Sequence, residues 1–159
     1  MVNSPRLVIA LRMLVSFTVD GEPVPQSRPR FTKAGRTYTS KKCADYRKFV
    51  AACAKKAMFN KELFEKDVPI AAAIVFFRSK KTTAKADLDN LTKAILDACN
   101  QIVYYDDSQI VSMLCLKRQS DQPHVKVTFA TADESFFQFR WNPSDQKINS
   151  LNLQRSFVS

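Results

Sequence analysis

The sequence contains few of the residues from which nucleotide-binding loops and imidazole metal sites are built. Only two of its 159 residues are glycine, and neither Gly21 nor Gly35 belongs to a P-loop or to a G-x-G-x-x-G turn. Those loops need glycine because the backbone must approach the phosphates closely. The single histidine, His124, excludes a metal site made of several imidazoles. Nucleotide-cofactor enzymes of those kinds are therefore excluded.

The four cysteines form no C-x-x-C pair. They stand at positions 43, 53, 99 and 115, each within an apolar pattern. This arrangement is typical of buried thiols and predicts neither a zinc site nor a disulfide framework, so the expected compartment is a reducing cytoplasm. The apolar stretch 7–19 is interrupted by Arg12 and is too short to span a bilayer, so no membrane partner is expected.

Positive charge is abundant and unevenly distributed. The formal net charge is +10, and the first 56 residues hold 12 of the 25 Lys and Arg but only three of the 15 Asp and Glu. Such a cationic surface attracts phosphates over the screening distance of physiological salt, which favours nucleic acid as the partner. A solvated face that serves only solubility is the alternative that composition leaves open.

Hydrophobic periodicity predicts an α/β (α+β) fold, a single domain with a mixed β-sheet and two main amphipathic helices. The alternation from Leu11 to Val19 is typical of a strand, and the apolar run from Val68 to Phe77 favours a central strand covered on both faces. Residues 21–40 hold both glycines and three prolines, so a long loop is expected there. The predicted order is strand (11–19), helix (40–58), strand (68–77), helix (87–102) and two strands (109–117 and 125–130).

The long loop carries a dense group of basic residues. Its segment from Arg28 to Lys42 contains no acid and interleaves the basic residues with Phe31 and Tyr38. A loop of this length in a small domain is usually functional. The residues predicted to contact nucleic-acid phosphates are Arg28, Arg30, Lys33, Arg36, Lys41 and Lys42 in this segment and Lys85 before the second helix.

The densest group of acidic residues begins with D-L-D-N-L at 87–91, where the second helix is predicted to start. A single Asp at a helix start is most often an N-cap, and Asp89 fits that role. Asp106 and Asp107 follow the far end of this helix, and about 14 helical residues would hold the two groups roughly 20 Å apart. They can converge only if the helix ends early near Asn100 or the chain runs back along it.

Convergence of these carboxylates would require compensating positive charge, since three of them within a few ångströms cannot all stay ionised alone. Hard oxygen ligands select Mg²⁺, with Mn²⁺ as a substitute, and such cations bridge a phosphate and activate water. Lys93 lies four residues after Asp89 and would share its helix face. It is predicted either to hold a phosphate or to form an ion pair with Asp89 or Asp97.

Two segments are similar to a known family of DNA junction nucleases. Residues 85–111, K-A-D-L-D-N-L-T-K-A-I-L-D-A-C-N-Q-I-V-Y-Y-D-D-S-Q-I-V, and residues 21–31, G-E-P-V-P-Q-S-R-P-R-F, resemble the RusA family of Holliday-junction resolvases, especially its phage-type members. The resemblance implies a homodimeric, Mg²⁺-dependent endodeoxyribonuclease in the cytoplasm of a bacterium or a phage-infected host cell. Such an enzyme resolves four-way junctions by paired nicks in opposed strands.

The resemblance also assigns the site residues. It implies that the catalytic residues are Asp87, Asp89, Asp107 and Lys93, of which the three aspartates bind the metal. Asp106 corresponds to the acid beside the third ligand and is predicted as a further metal ligand. The nuclease domain is predicted over residues 1–132, and a C-terminal extension over 133–159 is expected to hold an edge strand followed by a mobile tail.

Two alternatives to junction resolution remain open at this point. One keeps the metal-dependent nuclease but changes the substrate to flaps, forks or other branched DNA. The other is a non-catalytic basic DNA-binding protein, in which the acids are helix caps and surface charges. The alternatives differ in whether DNA is cut in the presence of Mg²⁺ and in which branched DNA is cut.

Overall fold

The computed structural model describes residues 13–26, 40–82 and 85–132, together with the backbone at 30–31 and 37–38. The elements are β1 (Leu14–Asp20), β2 (Arg30–Phe31), β3 (Thr37–Tyr38), α1 (Lys41–Ala57), β4 (Ile70–Arg78), α2 (Leu88–Cys99), a 3₁₀ turn (Asp107–Gln109), β5 (Ile110–Gln119) and β6 (His124–Thr131). The predicted α+β fold, with a mixed sheet and two main helices, is confirmed. The predicted C-terminal extension, 133–159, lies outside the described residues.

The predicted long loop contains a small hairpin that the sequence pattern did not indicate. Strands β2 and β3 pair antiparallel, with Arg30 opposite Tyr38 and Phe31 opposite Thr37. Each strand is two residues long, which is too short to leave a recognisable alternation. Helix α1 follows, and the Ser40 side chain caps its start by accepting a hydrogen bond from the Cys43 N–H at 3.4 Å. No helix in the described ranges is long and apolar enough to cross a membrane.

The main sheet has four strands in the order β1-β6-β4-β5. Strand β5 runs parallel to β4, whereas β6 is antiparallel to both β1 and β4. The apolar run that predicted a central strand belongs to β4, which is paired on both sides. Strand β5 lies at one edge, so its outer backbone groups are not paired with any described strand.

Both helices pack on one face of this sheet. Ile74 of β4 lies opposite Val127 of β6 and Cys115 of β5, and these side chains share the face that α1 and α2 cover. The largest fully buried side chains of this core are Tyr104, Phe64, Phe76, Phe129, Ile70, Ile74, Leu91, Ile95, Val15, Val19, Val50 and Val103. The core therefore fixes α2 against the β4-β5 side of the sheet.

The opposite face of β4 is only half covered, which differs from the prediction of burial on both faces. Its side chains Ala73, Val75 and Phe77 are intermediate in exposure. Phe77 is shielded by its neighbours, since the His124 ring stacks on it at 4.2 Å and the Lys126 ammonium lies 5.7 Å from its ring centre. Side chains of the sheet itself thus replace part of the cover that a second helical layer would supply.

Glu22 ties the segment after β1 to the end of β4. Its carboxylate accepts hydrogen bonds from Arg78 Nε at 3.0 Å, from the Ser79 N–H at 3.2 Å and from the Thr82 hydroxyl. Arg78 is buried and also donates to the Pro23 carbonyl. This network holds the G-E-P-V-P-Q segment, residues 21–26, against the sheet.

The pKa of Glu22 responds to this network. Burial raises it, but the hydrogen bonds from Thr82, Ser79 and Arg78 and the charge of Arg78 outweigh burial and lower the pKa below its ordinary value of 4.5. A carboxyl whose pKa is depressed by folding stabilises the fold above its unfolded pKa. That stabilisation is lost as the pH falls through the folded value.

We expect Glu22→Gln to lower the free energy of unfolding by about 1–3 kcal/mol at pH 7, because the negative charge facing Arg78 is removed. The difference from the wild type should shrink as the pH is lowered below 4.5. Urea unfolding at pH 7 and at acidic pH measures both effects. Glu62→Gln, at an exposed position, is the control, and a loss that is equal at both pH values would contradict the role given to the charge.

Candidate active site

The two aspartates of D-L-D-N-L lie at the N-terminal end of α2. Asp87 is the N-cap residue, with φ −70° and ψ 141°, and its side chain makes no capping hydrogen bond. Asp89 lies in the first turn and is therefore not the N-cap. Both carboxylates are exposed. The capping alternative does not account for either side chain, although the positive end of the helix dipole favours negative charge there.

The chain turns back along α2 immediately after the helix ends. Helix α2 has 12 residues and ends at Cys99, with Asn100 as its C-cap. Gln101 adopts a positive φ of 60°, and its N–H donates to the Tyr104 carbonyl at 2.8 Å. The Tyr104 hydroxyl then donates to the Leu96 carbonyl at 2.8 Å, one turn before the helix end. Both conditions for convergence of the acidic groups are thus met, since the helix is short and the chain runs back.

Asp89, Lys93 and Asp107 line one pocket of about 400 Å³ between α2 and β5. The remaining lining residues are Leu88, Thr92, Leu96, Met113 and Cys115. Asp87 and Asp106 are not among the lining residues. Of the residues predicted to be catalytic, the structure therefore brings two carboxylates and the lysine to a common cavity.

The two carboxylates of this pocket suit a metal ion that takes only some of its ligands from the protein. Within the part of the chain that the structure describes, no three Asp, Glu, His or Cys side chains lie close enough together to hold a metal ion. Mg²⁺ usually keeps several waters and is bound by one or two carboxylates together with substrate phosphates. Asp89 and Asp107 supply two such carboxylates, so the pocket fits Mg²⁺ completed by a phosphate and does not fit a closed protein cage.

Asp106 has a structural role at the start of the 3₁₀ turn. Its carboxylate accepts a hydrogen bond from the Ser108 N–H at 2.9 Å, and the side chain of Gln109 closes a capping box by accepting from the Asp106 N–H. Hydrogen bonds from the side chain and the backbone of Ser108 lower the pKa of Asp106. Its assignment as a metal ligand stays a prediction.

Gln109 is a positioning residue that the sequence reasoning did not single out, although it stands in the D-D-x-Q-I-V motif. This side chain is buried. Its carbonyl oxygen accepts from the Tyr105 N–H at 3.0 Å and the Asp106 N–H at 3.3 Å, and its amide donates to the carbonyls of Glu65 at 2.7 Å and Val68 at 3.3 Å. Gln109 therefore joins the backbone just before the carboxylate-bearing turn to the loop before β4.

Lys93 forms an ion pair with Asp97, which is one of the two roles predicted for it. Its ammonium lies 3.1 Å from Asp97, one turn further along α2. The lysine side chain is 59% exposed, and exposed pairs of this kind contribute roughly 0–1 kcal/mol. A phosphate entering the pocket can therefore compete for the ammonium group at small cost.

Lys117 is a second residue that the sequence analysis missed. Its ammonium donates to the Ala86 carbonyl at 2.8 Å, directly before Asp87. The strand period places Lys117 on the same side of β5 as Met113 and Cys115. Only the packing of β5 against α2 shows that this side faces the helix. Lys117 thus places its ammonium group at the residue before Asp87 and holds the backbone where α2 begins.

We expect Lys117→Met to lower the rate of DNA cleavage by about tenfold, because one charge beside the site and one hydrogen bond to Ala86 are lost. Lys126→Met is the matched control, since Lys126 lies on the opposite face of the sheet over Phe77. Steady-state cleavage of branched DNA measures the effect. Equal losses in the two variants would show that the charge acts only through the overall field of the protein.

The predicted DNA-binding residues are only partly described. Those outside the described residues are Arg28, Lys33 and Arg36, and of Arg30 only the backbone in β2 is described. Lys41 and Lys42 are exposed in the first turn of α1, and Lys85 is exposed just before Asp87. The Gln26 N–H donates to the Asn90 carbonyl at 2.9 Å, so the described part of the loop ends beside α2.

None of the four cysteines is in a disulfide. Cys43 and Cys99 are buried as predicted, whereas Cys53 and Cys115 are half-buried. Burial raises the pKa of Cys99 to about 12 and also raises the pKa of Cys115, which accepts a hydrogen bond from the Thr92 hydroxyl. The Cys115 thiol on the pocket wall is therefore neutral at physiological pH.

Comparison with known proteins finds relatives across this site. A family model described as Endodeoxyribonuclease RusA matches residues 20–130. The uncharacterized protein YqaN of Bacillus subtilis (strain 168) is 32% identical over 132 residues, which cover 71% of this chain and 93% of the relative. The crossover junction endodeoxyribonuclease rusA of Lactococcus phage r1t is 37% identical over 76 residues, which cover 42% of this chain and 58% of the relative.

Proposed function

Because the chain belongs to the RusA endodeoxyribonuclease family, we propose that it resolves four-way DNA junctions by paired symmetric nicks in opposed strands. The family predicted from D-L-D-N-L and D-D-x-Q-I-V is thereby confirmed. The name of the phage relative, a crossover junction endodeoxyribonuclease, supports this substrate. The proposal includes Mg²⁺ as cofactor, with Mn²⁺ as a substitute, and a homodimer as the active form.

The observation that carries the proposal is the shared pocket of Asp89, Lys93 and Asp107. The carboxylate of Asp89 and the ammonium group of Lys93 come from α2, and the carboxylate of Asp107 comes from the turn before β5. Asp89 and Asp107 meet there although they are 18 positions apart in the sequence. Neither Asp89 nor Asp107 is an N-cap residue, so the alternative in which these acids serve only as helix caps does not explain them. An exposed pocket of this composition suits hydrolysis of a phosphodiester.

Each residue has a defined part in the proposed reaction. Asp89 and Asp107 would hold Mg²⁺, with Asp87 as the third carboxylate at the helix start and Asp106 as a further candidate. The bound cation would neutralise charge on the scissile phosphate and provide a water of lowered pKa. Lys93 would leave Asp97 and offset the negative charge that develops on the phosphate.

The basic residues would hold the DNA backbone without reading its bases. Three of them are exposed and available for this role, namely Lys41, Lys42 and Lys85. We propose the same role for the other basic residues of the loop, Arg28, Arg30, Lys33 and Arg36. A homodimer fits the substrate because a two-fold protein presents two pockets to a roughly symmetric junction. Paired nicks in opposed strands would then follow from the symmetry.

The test is cleavage of a synthetic four-way junction, mapped on both strands, beside a Y-shaped DNA and a linear duplex of related sequence. We expect symmetric nicks on the four-way junction with Mg²⁺ or Mn²⁺ and none with EDTA. Equal cleavage of the Y-shaped DNA would favour the flap or fork nuclease instead. Binding without cleavage in either metal would favour the non-catalytic DNA-binding protein.

A further inference from the structure

The pocket of Asp89, Lys93 and Asp107 has an apolar wall that metal binding and phosphate hydrolysis do not require. Leu88 and Leu96 line it from α2, and Met113 lines it from β5. Met113 is half exposed, at 50% of its full accessible surface. A phosphate and its hydrated cation gain nothing from contact with such side chains. The wall therefore indicates that an apolar part of the ligand enters as well.

The remaining wall residues are also without charge. The Thr92 hydroxyl donates to the Leu88 carbonyl at 2.8 Å, and it contacts the neutral Cys115 thiol at 3.3 Å. The hydroxyl proton is thus already engaged within the protein. The charged groups that line the pocket are confined to Asp89, Lys93 and Asp107.

We propose that this apolar wall binds the nucleoside next to the scissile phosphate, with its base against Met113, Leu88 and Leu96. The inference rests on the proposed function and adds a base-binding subsite to it. The pocket has a charged part and an apolar wall. A nucleotide likewise joins an anionic phosphate to a planar, largely apolar base. The volume of about 400 Å³ falls within the range of small-ligand sites, roughly 300–1,000 Å³.

The edge position of β5 supports a base at this place. Met113 lies on β5, an edge strand whose outer N–H and C=O groups are not paired with any described strand. A base that leaves its stack at the branch point loses hydrogen bonds, and backbone groups of an edge strand can replace them. Methionine suits such a wall because its flexible, polarisable side chain adapts to different bases.

The variant that tests the subsite is Met113→Gln, which keeps the length of the side chain and makes it polar. We expect it to lower kcat/KM for the four-way junction by roughly tenfold or more, since contacts to one base contribute about that much. Met113→Leu should restore most of the activity. Leu114→Gln is the matched control, because Leu114 is the next residue on β5, 37% exposed, and points to the opposite face.

A second readout separates a bound base from a merely structural effect. An abasic analogue is placed on either side of the scissile phosphate, with Mg²⁺ present. In the wild type one of these positions should lose roughly tenfold in kcat/KM, whereas Met113→Gln should show little further loss there, because the partner of the base is already gone.

Three outcomes would overturn the subsite. One is wild-type cleavage that is indifferent to both abasic positions, and another is an equal loss in Met113→Gln and Leu114→Gln. The third is a change in the sedimentation coefficient of Met113→Gln, which would mean that a second copy of the chain covers the wall. If the wild type cleaves no branched DNA at all, the proposed function fails and the subsite fails with it.

Discussion

Asp89→Asn is expected to abolish cleavage of the four-way junction while leaving its binding intact. The substitution keeps the size of the side chain but removes a charge from the pocket that Asp89 shares with Asp107. Stabilisation of the reacting phosphate then falls, and we expect a loss of at least about 10³-fold in kcat. Phosphate contacts by the basic residues carry the affinity, so the dissociation constant should change little.

Single-turnover cleavage and gel-shift titration on the same junction measure the two quantities separately. Asp121→Asn is the control, because Asp121 is exposed in the turn between β5 and β6. Cleavage at the wild-type rate by Asp89→Asn with Mg²⁺ would end the assignment of the metal site. Loss of binding together with cleavage would instead give Asp89 a role in holding DNA.

Gln109→Ala is expected to lower both stability and cleavage. Its amide joins the backbone at Tyr105 and Asp106 to the carbonyls of Glu65 and Val68. Removal of a buried side chain with these hydrogen bonds should cost roughly 3 kcal/mol in the free energy of unfolding. The turn that carries Asp107 also loses its support, and a displacement of about 1 Å is enough to lower the rate by about 100-fold.

The cleavage assay must be run well below the unfolding temperature of the variant, so that the two effects are separated. Thermal unfolding followed by circular dichroism gives the stability, and single-turnover cleavage of the folded variant gives the rate. Gln119→Ala, at an exposed position at the end of β5, is the control. A folded Gln109→Ala that cleaves like the wild type would show that Asp107 does not depend on this contact.

Local patterns in the sequence were sufficient to predict the main elements and to single out candidate site residues. Period-two and period-3.6 hydrophobicity depend only on neighbouring residues, so the order of the long strands and helices was predicted correctly, whereas the two-residue strands β2 and β3 were not predicted. Asp89 and Lys93 are four residues apart in one helix, and helix geometry alone places them on one side. The family was also recognisable, because D-L-D-N-L and D-D-x-Q-I-V are contiguous motifs.

Only the tertiary structure decided how distant segments meet. Whether Asp107 reaches the pocket of Asp89 depends on the end of α2 at Cys99 and on the positive φ of Gln101, and no periodic pattern specifies either feature. Lys117 faces α2 because β5 packs beside it, a contact between residues 31 positions apart. Such contacts follow from strand order and packing. The sequence therefore identified which groups are candidates for the chemistry, and the turn after α2 determined that Asp89 and Asp107 share one cavity.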